Sequence, residues 1–170
     1  MHTAWVRLNA VVFFGLTVLL GLSILTALST VLHKDSPVVQ KLGVSKFRTF
    51  RKSEGTDRLL LNVNLDANLA PAFNWNIKQL FAFVVAEYST QTNPINQVIL
   101  WDKVVERPGD AHLFEEDVTV KYALIDEGAD LRNASVTLKL YWDHMPLTGT
   151  LFMHNISVDT FKAPGEYKRR

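Results

Sequence analysis

The five histidines are the side chains of this sequence best suited to acid–base or metal chemistry at neutral pH. They occupy positions 2, 33, 112, 144 and 154. No two of them have the HxxxH or HExxH spacing that places two zinc ligands on one helix face. His144 and His154 fall in successive predicted strands and could meet across them, but two imidazoles make an incomplete metal site. We therefore predict no metal centre.

A serine-type hydrolase is the second chemistry to consider, because Asp143 directly precedes His144. Adjacent strand residues point to opposite faces, so this carboxylate is badly placed to orient the neighbouring ring. No serine occupies a Gly-x-Ser-x-Gly elbow, and no glycine-rich phosphate loop occurs. The acidic run 115–117 (EED) is predicted to be a solvated turn, since calcium requires oxygen ligands that are more widely spaced. The sequence thus predicts no catalytic residue and no cofactor.

Composition excludes several further classes of function. The chain of 170 residues contains no cysteine, which rules out disulfides, a thiolate zinc site and a cysteine nucleophile. Its formal net charge is +1, from 18 basic and 17 acidic residues, so no strong field attracts nucleic acid. We predict no nucleic-acid partner.

Residues 10–32 (AVVFFGLTVLLGLSILTALSTVL) form an apolar run without a charged side chain. A helix of this length reaches roughly 35 Å, enough to cross a hydrocarbon core of about 30 Å. A cleaved signal peptide is the main alternative, and residues 27–29 (Ala-Leu-Ser) resemble a cleavage site. The run is longer than the 7–15 residues typical of such peptides and continues past that site. We therefore predict an uncleaved membrane anchor.

The residues alone do not determine which side of the membrane each end of this anchor faces. Basic residues are more frequent after the run than before it, which favours a cytoplasmic carboxyl-terminal domain. Two glycosylation sequons, at Asn133 and Asn155, favour the opposite orientation.

Residues 33–170 are predicted to form an all-β antiparallel sandwich, which such a length can build around one core. Apolar and polar residues alternate from Leu59 to Leu69 and again from Ala134 to Trp142, as in strands with one buried face. Turn residues recur every 8–12 positions. A short helical turn capped by Asn74 is expected within 70–80. The predicted strands are 38–50, 59–69, 80–88, 97–105, 118–125, 134–142 and 150–161.

Large aromatic residues are the best candidates for contact with a partner. Trp101 and Trp142 lie in predicted strands, where a core position is the simpler interpretation. Phe73 and Trp75 lie in a connection that follows a proline, and either a core plug or a partner contact fits them. We retain Phe73, Trp75 and Trp101 as candidate contacts.

Several longer segments resemble those of signal peptidase complex subunit 3, the glycosylated single-anchor subunit of the eukaryotic endoplasmic reticulum enzyme. The resemblance covers nearly the whole chain in layout and is sharpest over residues 73–105. It rests on the segments 73–81 (FNWNIKQLF), 86–90 (AEYST), 96–103 (NQVILWDK) and 132–142 (RNASVTLKLYW). In the last of these, Asn133 matches the acceptor of the family's glycosylated strand. Asn155 matches no such acceptor, and we expect it to be unmodified.

The resemblance implies a single-pass type II protein with residues 1–9 in the cytoplasm, an anchor over 10–32 and a lumenal domain over 33–170. It also implies a noncatalytic role, since the serine protease chemistry of this complex belongs to another subunit. The implied partners are the catalytic subunit, the other subunits of the complex, the lipid bilayer and, indirectly, preproteins that carry signal peptides. A membrane-tethered β-sandwich adhesion or binding module is the alternative, and an unrecognised hydrolase is a third possibility.

Overall fold

The computed structural model describes residues 3–31, 33, 36–91 and 93–168. Over these residues the chain forms an amino-terminal helix and then a domain of two antiparallel sheets. The elements are α1 (Ala4–Val31), β1 (Val38–Ser53), β2 (Thr56–Asn68), β3 (Ile77–Tyr88), β4 (Asn96–Val105), β5 (His112–Thr119), β6 (Leu124–Asp126), β7 (Ser135–Pro146) and β8 (Phe152–Lys162).

The helix α1 is apolar on every side. It begins at Ala4, six residues before the predicted apolar run. Its hydroxyl groups bond back to the helix: Thr17 Oγ1 donates to the Phe13 carbonyl at 2.8 Å, and Thr26 Oγ1 to the Leu22 carbonyl at 2.9 Å. The most apolar stretch is 0% buried within the protein. Such a helix has the length and composition to cross a membrane.

The two sheets form the predicted sandwich. In the first sheet β2 lies between β1 and β5, and β6 pairs with the early part of β2. In the second sheet the strand order is β4-β3-β7-β8. We call these sheet I and sheet II.

The core between the sheets follows the alternation in the sequence. The apolar positions of β2 at 61, 63, 65 and 67 are buried, as are those of β7 at 136, 138, 140 and 142. The facing residues of β3 are Leu80, Ala82, Val84 and Ala86, each of which is fully buried. The predicted inward faces of β2 and β7 are therefore confirmed.

The prediction of a single strand over 118–125 is wrong. Strand β5 ends at Thr119 and β6 begins only at Leu124. Between them the chain leaves the edge of sheet I and then returns to it: the Val120 amide donates to the Leu61 carbonyl in sheet I, the Tyr122 amide donates to the Leu100 carbonyl in sheet II, and β6 pairs with β2 in sheet I again. The alternation along this stretch therefore reflects an excursion to sheet II and not a continuous strand.

The acidic run 115–117 lies within β5 and is not the solvated turn that the sequence suggested. Asp117 has a φ of 48° and marks a bulge against β2. Its carboxylate accepts hydrogen bonds from the Ser45 hydroxyl and the Asn62 amide, and these two bonds hold its pKa below the ordinary value. The bulge lets β5 stay paired with β2 although the strand carries three acidic residues, because β5 lies at the edge of sheet I.

One polar residue on the outer face of β2 is buried and not exposed to solvent. Asn62 is fully buried, and its amide group bonds to Arg48, Asp117 and Thr119. The expected cap at Asn74 is also wrong, because the short helical turn covers Ala70–Ala72, before that residue. Asn74 Oδ1 instead accepts the Asn76 amide at 2.9 Å in a local turn.

Tyr88 provides a stability test of the core. Its hydroxyl donates to Asp126 Oδ1 at 2.9 Å, and burial together with this carboxylate raises the tyrosine pKa. Tyr88→Phe leaves a buried carboxylate oxygen without its donor, so we expect the free energy of unfolding to fall by about 1–3 kcal/mol. Denaturant unfolding followed by circular dichroism measures it. Tyr141→Phe is the control, since the described residues form no hydrogen bond with the Tyr141 hydroxyl. Equal losses in both variants would contradict the assignment.

Candidate functional site

The most distinctive site lies where the sandwich meets the end of α1. Three strand ends of sheet II converge there: β3 begins at Ile77, β7 ends at Pro146 and β8 begins at Phe152. Two connections close this edge, residues 69–76 before β3 and residues 147–151 before β8. We call the first the β2–β3 connection, the second the β7–β8 loop, and the whole the helix-proximal edge.

The β7–β8 loop packs directly on α1. Thr148 Oγ1 lies 3.5 Å from the carbonyl oxygen of Ser23, a residue two turns before the helix end. Gly149 has a φ of +113°, and a Cβ at that position would lie 3.3 Å from Ala27 Cβ. Glycine is therefore required both by the backbone conformation and by the close approach to the helix. Two small residues make this contact, as is common where membrane helices pack closely.

Asn76 joins the two connections. Its backbone carbonyl accepts the Leu147 amide at 2.7 Å. Its side chain donates from Nδ2 to the Thr148 carbonyl at 2.8 Å and accepts the Thr148 amide at Oδ1 at 3.2 Å. The side chain is buried, so these bonds form away from water. Asn76 therefore fixes the shape of the β7–β8 loop, a role that sequence analysis missed.

A second contact ties the helix end to the β2–β3 connection. His33 Nε2 lies 3.1 Å from the carbonyl oxygen of Pro71. Between these contacts a groove of about 370 Å³ runs along the helix-proximal edge. Its walls include Ala27, Ile77, Phe152 and the two histidines His144 and His154. The groove is mostly apolar and carries no carboxylate among the residues that line it.

The two histidines meet as predicted. Their ring centroids are 5.3 Å apart, edge to face, and His144 Nδ1 lies 3.1 Å from the Phe152 carbonyl oxygen. Within the part of the chain that the structure describes, no third histidine, cysteine, aspartate or glutamate joins them in a metal-binding group. The pair packs against Trp142, whose ring is 6.0 Å from that of His154. These contacts describe a packed core edge.

A nucleophile and its base are not brought together in the described residues. His144 is buried, whereas its neighbour Asp143 pairs with Phe81 on the other face of sheet II. One histidine–carboxylate pair is seen on sheet I, where the exposed His112 Nε2 lies 2.8 Å from Asp66 Oδ1. No serine or threonine among the described residues bonds to that imidazole. The arrangement thus offers no triad geometry.

The three candidate contact residues have different environments. Trp75 is 66% exposed, in the β2–β3 connection. Phe73 is half-buried and packs against the sandwich core. Trp101 is only 4% exposed, with the Lys121 ammonium 6.0 Å from its ring centroid. Trp101 thus offers a partner far less surface than Trp75 does.

Sequence analysis did not single out the outer face of sheet II. The rings of Phe81, Phe83 and Tyr141 form a row there, with successive centroids 5.2 Å apart. Val104 and Met153 flank the row and are exposed. The uninterrupted apolar character of residues 80–86 was the available signal, because a strand apolar on both faces needs cover on both. We call this surface the aromatic face.

A charged cluster borders the aromatic face at the end away from α1. Lys139 Nζ donates to Glu87 Oε1 at 2.7 Å, and Gln97 donates to the second oxygen of the same carboxylate. These hydrogen bonds, with Lys139 the largest influence, lower the pKa of Glu87. The same partner raises the pKa of Lys139. The ion pair therefore lies at the opposite end of sheet II from the helix-proximal edge, whereas Asp102 and Asp143 lie beside the aromatic rings, opposite Phe83 and Phe81.

The two sequons occupy different settings. Asn133 is exposed in the turn before β7, with a φ of 59°. Asn155 is exposed within β8, opposite Tyr141, on the side of the aromatic face. A glycan at Asn133 would project from a turn, whereas one at Asn155 would stand beside the aromatic row.

Comparison with known proteins places this architecture in a family. The signal peptidase subunit family profile matches residues 1–166. Signal peptidase complex subunit 3 of Dictyostelium discoideum is 33% identical over 169 residues, 99% of this chain and 98% of that protein. The Caenorhabditis elegans and Homo sapiens proteins of the same name are 37% and 36% identical over 158 residues, 89% of this chain and 87% of each relative. Since the similarity includes both α1 and the sandwich, the chain belongs to the signal peptidase subunit family.

Proposed function

We propose that this chain is a noncatalytic subunit of the signal peptidase complex in the endoplasmic reticulum membrane. The observation that carries the proposal is the family match over residues 1–166, which takes in the helix and the sandwich together. The anchor holds the sandwich at the membrane surface, and the sandwich supports the catalytic subunit that removes signal peptides. An adhesion module would share only the sandwich, so the family match does not favour that alternative.

The geometry of the histidines supports the noncatalytic part of the proposal. His144 faces the core edge, and His112 has a carboxylate partner but no hydroxyl nucleophile among the described residues. Serine protease chemistry requires a hydroxyl within hydrogen-bond reach of the base. We assign that chemistry to another subunit of the complex.

We propose a type II topology, with residues 1–9 in the cytoplasm, an anchor over 10–32 and the domain 33–170 in the lumen. The exposed turn that presents Asn133 supports this orientation, since glycans are added on the lumenal side. The excess of basic residues after the helix opposes it. That count is a weak guide where a long domain is translocated.

The proposed mechanism is positioning of the catalytic subunit. Trp75 and Phe73 lie in the β2–β3 connection, which is bonded through Asn76 to the loop that rests on α1. A partner bound at Trp75 would therefore be held at a fixed height above the bilayer. Holding a reactive group at the level of its substrate raises the rate through orientation, without any proton transfer by this chain.

Trp75→Ala tests the partner contact. Loss of an exposed aromatic anchor at an interface typically costs about 2 kcal/mol or more, roughly a 30-fold loss of affinity. We expect much less catalytic subunit to copurify with the variant in detergent. Tyr122→Ala is the control, since Tyr122 is another exposed aromatic residue, remote from the helix-proximal edge. Unchanged copurification of Trp75→Ala would remove this residue from the interface.

Asn133→Gln tests the orientation. We expect the wild-type chain to carry one endoglycosidase-sensitive glycan, and the variant to migrate without it. Asn155→Gln serves as the matched variant at the second sequon and should leave migration unchanged. A wild-type chain without any glycan, combined with a sandwich that cytosolic protease digests in intact microsomes, would overturn the type II topology.

A further inference from the structure

The β7–β8 loop and the residues after it have an unusual surface for a sandwich loop. Residues 146–153 (PLTGTLFM) contain no charged side chain. Leu147 is 68% exposed and Leu151 64% exposed, and Phe152 and Met153 are exposed as well. Contiguous exposed apolar residues mark a contact with another molecule or with lipid. The question is which of these covers the loop.

The contacts of the loop with α1 set its depth. Thr148 lies against Ser23, eight residues before the helix end at Val31, which is about 12 Å along the axis. Gly149 lies against Ala27, four residues before the end, or about 6 Å. The loop therefore extends back alongside the helix, beyond the point at which the chain leaves it.

The membrane boundary falls at the same level. Arg7 is the charged residue of α1, and its side chain must reach the opposite surface. A hydrocarbon core of about 30 Å takes roughly 20 residues, which from Leu8 extend to Ala27. Helix tilt lengthens the embedded segment and moves the boundary further toward Val31. Thr148, beside Ser23, thus lies at or below the boundary.

The first part of the loop, Leu147 and Thr148, has internal partners for backbone groups that would face lipid. A lipid-exposed segment needs internal partners for its polar groups, because hydrocarbon supplies none. The amides of Leu147 and Thr148 and the carbonyl of Thr148 all bond to Asn76. The Thr148 hydroxyl is directed at the Ser23 carbonyl. The exposed residues of the loop are Leu147, Gly149, Thr150 and Leu151, and the two leucines supply its apolar side chains.

We propose that the β7–β8 loop is a second membrane contact, which inserts Leu147 and Leu151 into the leaflet on the side of the sandwich. The occupant of this surface is the phospholipid bilayer, which α1 already enters. The inference rests on α1 spanning the membrane. It does not rest on the orientation of the chain or on the identity of its partners.

A second attachment point restricts the motion of the sandwich relative to the bilayer. A sandwich held by one short linker can swing, whereas a sandwich held by the linker and by an inserted loop keeps one orientation to the bilayer. The aromatic face and Trp75 then stay at constant height. Insertion thus supplies the rigidity that the positioning role requires.

Depth-dependent fluorescence in vesicles tests the inserted loop. The chain has no native cysteine, so Leu151→Cys in the full-length chain gives a single site for a nitrobenzoxadiazole label. In phosphatidylcholine vesicles we expect blue-shifted emission and strong quenching by lipids spin-labelled on their acyl chains. Ile95→Cys is the control, because Ile95 is similarly exposed at 69% but lies at the far end of sheet II. That label should be quenched by aqueous iodide and not by lipid.

Iodide quenching of the Leu151 label equal to that at Ile95 would overturn the proposal. Leu147→Cys repeats the measurement, so that one poorly folded variant does not decide it, and circular dichroism verifies the sheet content of each. A label at 151 that is water-exposed in vesicles but protected in the assembled complex would show that a protein covers the loop, and would also overturn the proposal. Copurification of the catalytic subunit with Trp75→Ala tests the proposed function in a separate experiment. A negative result for loop insertion therefore leaves the test of the proposed function unaffected, and the reverse also holds.

Discussion

The contact between the β7–β8 loop and the last turns of α1 is the constraint on which the site depends. An apolar helix can end in any relation to the domain that follows it, because a short linker permits many orientations. Here Gly149 approaches Ala27 closely, Thr148 reaches the Ser23 carbonyl, and Asn76 holds both connections together. The three interactions are local and small, yet they determine the direction in which the sandwich faces.

Because this contact fixes the sandwich to α1, it also fixes how far each exposed surface lies from the membrane. Trp75 lies at the helix-proximal edge, the aromatic face lies along the middle of sheet II, and the Glu87–Lys139 ion pair lies at the far end. A domain fixed at the bilayer therefore holds Trp75 nearest the membrane and the ion pair furthest from it. That arrangement suits the positioning role that we propose for this subunit.

Much of the sandwich follows from the sequence, because each strand with one buried face alternates apolar and polar residues. The inward faces of β2 and β7 were predicted on that basis, and Trp142 was predicted as core. The wrong predictions share one cause. Contacts between residues far apart in the sequence determine the structure at these positions, and the local pattern of apolar and polar residues does not show such contacts. Within 120–123 the chain bonds to sheet II before it returns to sheet I, and Asn62 is buried because Arg48 and Thr119 cover it. Asn76 acts on a loop 72 residues away. The strand position of Trp101 already favoured the core, whereas the connection that holds Trp75 left both interpretations open until packing showed that this side chain is exposed.

In lipid, the sandwich is expected to keep one fixed orientation to the anchor. Pulsed electron spin resonance on the full-length chain in bilayers measures this directly, with nitroxides at Leu20→Cys in α1 and Ile95→Cys in the sandwich. A single narrow distance distribution is predicted, and it should broaden in the Gly149→Val variant. A broad distribution in the chain with native Gly149 would show that the domain swings freely, and would contradict a fixed orientation.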